Sequence, residues 1–199
     1  MNNRIRSAKI TAVSVCLVIA GIYSAAAQEG DNDGHSESHV KRGLQIAPVP
    51  LNLEGKNRAL VGLGSYIVNA VGDCNACHTN RLPEFVLGGN PFLGQPEQID
   101  VERYLVGGRQ FMGGTIRSRN LTPDPTTGLP AGYTFEQFLQ VMTTGEDLKK
   151  LPPHVPSFEH DLLQSPMPWP VFHKMTERDI LAVYEYLRSI PSRPGFPRT

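Results

Sequence analysis

The sequence predicts a small, mainly α-helical domain with long connecting loops. Two segments, near Asn57–Val71 and Thr176–Ile190, repeat apolar residues at helical spacing, and a third opens on a clear start signal at Thr134. No stretch shows the strict alternation of a half-buried strand. Residues 79–133 read as mostly irregular, punctuated by Gly88-Gly89, Gly107-Gly108, Gly113-Gly114 and several prolines.

Arg4, Arg6 and Lys9 precede the apolar run from Ile10 to Ile22, and Ala25-Ala26-Ala27 follows. This is the pattern of a secretory signal peptide over 1–27, cut before Gln28. An uncleaved anchor is the alternative, because Ile10 to Ala27 is just long enough to span a bilayer. No second membrane span is expected after cleavage. Residues 28–56 read as a flexible linker: Gln28 to His39 is almost wholly polar, and Pro48 and Pro50 follow. His35 and His39 are expected to be solvated. The folded domain is expected over 57–192, with a short tail over 193–199.

The first helix carries Leu60, Leu63, Ile67, Val68 and Val71 on one stripe, interrupted by Gly62 and Gly64. Small residues there allow another helix to cross closely. The long irregular region after it needs something to wrap, since such loops are unusual in a compact domain. A hairpin is expected somewhere between Val101 and Ile116. The second helix opens with Thr134 and Gln137 as a capping box and stops at Gly145. The third starts at Thr176, has acidic residues in its first turn, and ends before Pro191.

The chain has 19 basic and 19 acidic residues. Loss of the three basic signal residues leaves a mildly acidic product. That excludes the basic face a nucleic-acid partner needs. Two of the three cysteines, Cys74 and Cys77, lie outside the signal, so a disulfide-rich scaffold is excluded as well.

Those two cysteines carry the chemistry. Cys74-Asn75-Ala76-Cys77-His78 is a Cys-x-x-Cys-His run, the attachment pattern of a c-type haem. Thiols one helical turn apart can each add to a porphyrin vinyl group, and the adjacent imidazole can reach iron. Zinc needs further ligand pairs at short spacing, and none follows. A thioredoxin-like redox pair needs alternating strands and helices around it. The opposite axial position decides the function. A bound thioether raises the potential and suits electron transfer, whereas an open site suits a haem enzyme or gas sensor.

Four methionines compete for that position. Met142 falls on the inner stripe of the second helix, and Met175 has the spacing of a hydrophobic staple with Ile180. Met112 sits beside Phe111 and a glycine pair. Met167 stands in Ser165-Pro166-Met167-Pro168-Trp169-Pro170, where prolines leave the loop few conformations to lose. It is the favoured ligand, with His154, His160 and His173 as alternatives for a bis-histidine site. Arg117, Arg119 and Trp169 are candidates for the haem propionates, although surface or packing roles fit them equally well.

Taken together, these segments resemble a class I monohaem cytochrome c, similar to the haem domains of cytochrome subunits of membrane-bound alcohol and aldehyde dehydrogenases. The matching pieces are Gly64-Ser65-Tyr66, Gly72 to Thr79, Asn120-Leu121-Thr122-Pro123-Asp124, the Phe135-to-Gly145 helix, Met167 to Pro170, and Asp179 to Ser189. The resemblance implies a helical fold wrapped around one covalently attached haem c. It implies thioether bonds from Cys74 and Cys77, a proximal His78 and a distal Met167. It also implies that the first and last helices cross near Gly64, against Tyr184 or Leu187. The expected role is a periplasmic electron carrier between a redox donor, such as a dehydrogenase catalytic subunit, and a respiratory-chain acceptor. No residue would then act as acid, base or nucleophile. Those dehydrogenase subunits carry three haem motifs and this chain carries one; its Leu148–Gln164 segment is also longer.

Overall fold

In the computed structural model, main-chain structure is described for residues 30–149 and 162–195. The expected signal segment, His154, His160 and the tail beyond residue 195 lie outside the described residues. The chain divides into two units, Met1–Gly34 and His35–Thr199. Only the last five residues of the first unit are described, all helical. All the detail below concerns the second.

Six helices and one short hairpin make up the described fold: α1 (Gly30–Ile46), α2 (Arg58–Tyr66), α3 (Cys74–His78), β1 (Gln110–Phe111), β2 (Ile116–Arg117), α4 (Phe135–Thr144), α5 (Trp169–Phe172) and α6 (Glu177–Ser189). The helix starts expected at Thr134 and Thr176 are present, and α2 has a cap that its apolar spacing did not announce. Asn57 caps α2 by accepting from the backbone N–H of Ala59 and Leu60. Thr134 and Gln137 form a reciprocal capping box on α4, and Thr176 caps α6 by accepting from Asp179 N–H. Gly145 ends α4 in the left-handed region, at φ 73°.

The predicted first helix is present but changes pitch. After Tyr66 the chain widens into a π-turn over Ile67–Val71, closed by Gly72 N–H donating to Ile67 O at 2.7 Å. The hairpin pairs Gln110 with Arg117 and Phe111 with Ile116, so it reaches one residue past the expected window.

Helix α2 crosses α6 near Gly64, as the resemblance implied, but on different partners. A Cβ on Gly64 would lie 1.9 Å from Ala182 O and 2.8 Å from the Tyr186 Cβ. Ala182 and Tyr186 are four residues apart and share one face of α6. Tyr184 points elsewhere: its ring packs on Phe135 and Phe138 of α4, and its hydroxyl donates to Tyr133 O. Leu187 faces the cavity described below.

Residues 30–46 differ from the expected flexible linker, because they form a helix. Its second half packs on α2. A Cβ on Gly43 would meet Gly62 O at 1.9 Å, and one on Gly62 would meet Val40 O at 2.6 Å. His39, expected in solvent, stacks its ring on Tyr66 at 4.3 Å. After α1, Val49 is buried in the main core, and Asn52 N–H donates to Ser189 O. The glycine faces of α2 supply the docking surface that this polar sequence cannot advertise alone.

Candidate haem site

Helix α3 places Cys74, Cys77 and His78 on the wall of one mostly apolar cavity. The π-turn contributes Ile67 and Val68, the hairpin Phe111 and Ile116, α4 Phe138 and Val141, and α6 Val183 and Leu187. The long irregular region thus supplies part of the cavity wall, including Leu121 and Tyr133. Its loop also grips the motif helix from outside. Leu105 N–H donates to Asn75 Oδ1, Gly107 N–H donates to His78 O, and the Arg109 guanidinium donates to Ala76 O. Gly107 is required here: its φ is 70°, and a Cβ would lie 2.3 Å from the Arg119 carbonyl carbon.

His78 Nδ1 lies 2.8 Å from Arg119 O. The carbonyl can only accept, so Nδ1–H donates and Nε2 is left as the basic nitrogen. Burial pushes the imidazole pKa down, although the Arg119 carbonyl opposes it, so the neutral ligand form is favoured. The Arg119 guanidinium is in turn held by both Asp147 carboxylate oxygens and by Lys149 O. Arg117, Arg119 and Asp147 all border the cavity, whereas Trp169 does not. Trp169 instead lies over Gly145, where a Cβ would come within 2.4 Å of its indole ring.

The Cys74 thiol is pushed up to about 12, chiefly by burial, with the Asp73 and Cys77 charges adding to it. It is a protonated thiol at neutral pH, unlike the low-pKa thiolate of a redox pair. Among the described residues no group of three or more His, Cys, Asp or Glu is placed to hold a metal ion. Neither rival reading gains support.

Three methionines line the cavity: Met142, Met167 and Met175. Met142 also belongs to the buried core along α4, matching its expected packing role. Met112 is 69% exposed and outside the cavity, and His173 is exposed and also outside it. The Met167 loop is tied to the end of α4 and closes on itself in a tight turn. Leu163 N–H donates to Gly145 O at 2.7 Å, and Met167 N–H donates to Gln164 O at 3.0 Å. Pro166 and Pro168 join Met167 on the wall. Two thiols one turn apart, a basic imidazole nitrogen and a thioether on one apolar cavity form a donor set that fits a c-type haem.

Comparison with known proteins agrees. Over 128 residues, 64% of this chain, it is 34% identical to the alcohol dehydrogenase (quinone) cytochrome c subunit of Komagataeibacter europaeus. Over 131 residues, 65% of the chain, it is 34% identical to the gluconate 2-dehydrogenase cytochrome c subunit of Pantoea cypripedii. Over 133 residues it is 29% identical to the fructose dehydrogenase cytochrome subunit of Gluconobacter japonicus. The chain is similar to dehydrogenase cytochrome c subunits. These matches cover 21%, 23% and 21% of the relatives, so the chain spans about a fifth of their length. No family model matches the chain.

Several residues hold the motif in ways that spacing alone did not reveal. Asn75, Gly107 and Arg109 clamp the motif helix, and Asp147 pins Arg119 behind His78. The paired glycines at 107–108 were the one visible sign of a close approach.

Proposed function

We propose that this chain is an exported c-type cytochrome that passes single electrons through one haem c. Cys74 and Cys77 hold the haem by thioether bonds, and His78 and Met167 ligate its iron. The observation that carries this reading is the placement of all four side chains on a single apolar cavity. The iron porphyrin supplies a reversible one-electron couple. The chain's own residues hold and insulate it: Arg119 O fixes the His78 tautomer, the 105–119 loop holds α3, and the core of α4 and α6 excludes water. The names of the relatives support a redox donor of the dehydrogenase class, with a respiratory-chain acceptor. The Arg4-to-Ala27 pattern supports export to the periplasm with cleavage before Gln28.

The purified exported protein is expected to be coloured and to keep its haem through denaturation. Cys74→Ala with Cys77→Ala abolishes that attachment, measured by intact mass. Met167→Ala removes the far-red methionine–iron band of the oxidised protein. High-spin iron in the unaltered protein would instead indicate an open sixth position and overturn the carrier role.

A further inference from the structure

Between the motif helix and the hairpin the chain makes an excursion that the haem site does not use. Residues 85–96 contain no charged side chain, and none of them lines the cavity. Phe85 is buried and bridges to Ile99, which closes a neck. Beyond that neck Leu87, Phe92 and Leu93 are 105%, 87% and 71% exposed. The Phe92 ring is steadied by Phe85, 6.3 Å away between centroids.

The loop satisfies most of its own backbone donors, with Leu87 and Gly88 N–H left open. Val86 N–H donates to Gln98 O, Gln98 N–H to Gly89 O, and Gly89 N–H to Val86 O. Asn90 and Gln95 hold the tip from both sides. Asn90 N–H donates to Gln95 Oε1, Gln95 N–H to Asn90 O, and Phe92 N–H to Asn90 Oδ1. Leu93 and Gly94 close turns onto Asn90 O and Pro91 O, and Pro91 and Pro96 have no N–H to satisfy. Polar groups are thus turned inward and large apolar groups outward, the reverse of an ordinary surface loop.

We propose that this loop is a membrane-surface anchor, with Leu87, Phe92 and Leu93 entering the interfacial layer of a bilayer of zwitterionic lipid. Entry into that layer requires apolar side chains standing clear, no charge, and few open backbone donors; the loop meets all three. A protein partner fits less well. Protein interfaces carry about one hydrogen bond per 100–200 Å², whereas the Asn90 and Gln95 side-chain oxygens that could supply them are spent inside the loop. Charges return at the neck as Glu84 and Glu97 against Arg81, so the neck is net acidic. Anionic headgroups therefore add no attraction, and insertion stops at those carboxylates. The anchor stands beside the electron-carrier reading without depending on it, since vesicle binding and haem attachment are scored separately.

The test is cosedimentation of the mature exported holoprotein with phosphatidylcholine–phosphatidylethanolamine vesicles. Binding is expected, and raising NaCl to about 0.5 M, which screens surface charge, leaves it within about twofold. Leu87→Ser, Phe92→Ser and Leu93→Ser together lower the partition coefficient at least about tenfold, with the haem spectrum unchanged. Phe92→Ser alone lowers it severalfold. The proposal is overturned if the unaltered protein stays in the supernatant, or if the triple variant sediments equally. Binding confined to phosphatidylglycerol vesicles and lost in salt also overturns it. So does loss of a stably copurifying protein in the triple variant without vesicle binding, which would make the loop a protein-docking element.

Discussion

Arg119 shows how one residue can serve a site twice. Its carbonyl sets which His78 nitrogen is basic, while its guanidinium is held by Asp147 and Lys149 O. The Arg119 and Asp147 side chains are 18% and 12% exposed, between the buried and surface limits for ion pairs. Asp147→Ala is therefore expected to cost about 2 kcal/mol in urea unfolding of the holoprotein. Asp124 offers a pH-dependent counterpart. Its carboxylate accepts from Thr127 N–H, Thr126 N–H and the Thr127 hydroxyl, which hold its pKa below the ordinary 3.8. A carboxyl with a depressed folded pKa stabilises fully above its unfolded value and loses that contribution as pH falls through the folded one. The amide resonances of Thr126 and Thr127 should shift together below pH 3.8. A midpoint at or above that value would contradict the assignment.

At the scale of elements, two devices join helices without conventional side-chain interdigitation. The first is the backbone approach at Gly64. Gly64→Ala forces a methyl into the Ala182 carbonyl of α6, and overpacking of this kind costs about 3 kcal/mol or more. Its effect should show as a lowered unfolding midpoint with covalent haem retained. The second is a closed ring of hydrogen bonds. Tyr104 hydroxyl donates to Asn69 Oδ1, Asn69 Nδ2 donates to the Tyr186 hydroxyl, and Tyr186 then donates to Tyr104 at 2.7 Å. Burial first, and each other's presence second for Tyr104, raise the phenol pKa values, so both hydroxyls stay protonated. The ring ties the π-turn to α6 and to the loop carrying Tyr104. Tyr186→Phe leaves Tyr104 without its incoming proton and Asn69 Nδ2 with only the Ser65 oxygens as acceptors, at a cost of about 1 kcal/mol. A Tyr104→Phe, Tyr186→Phe pair costing less than the sum of the singles would confirm the coupling.

Across the whole molecule, the cavity depends on contacts far apart in sequence, and α1 lies outside it. Among the described residues none of α1 lines the cavity, whose lining starts at Ile67. A chain lacking residues 28–46 should attach haem and keep its spectrum but unfold at lower temperature, because Gly43 and His39 no longer cover α2. Loss of attachment in that variant would show that α1 is needed to form the site. Among the described residues no helix is long and apolar enough to cross a membrane.

Sequence alone settled the features that are local. Caps at Thr134 and Thr176 and the stop at Gly145 depend on residues within a few positions of the backbone they satisfy. The Cys74–His78 run specifies its own spacing through the pitch of one helical turn. Tertiary structure decided what depends on distant surfaces. The polar stretch before Asn57 becomes a helix because Gly43 finds Gly62. Gly64 meets Ala182 and Tyr186 rather than Tyr184, and three methionines converge on the cavity where spacing favoured one. Propensity and capping act over a few residues, whereas close backbone approach and shared cavities exist only after the chain has folded back on itself.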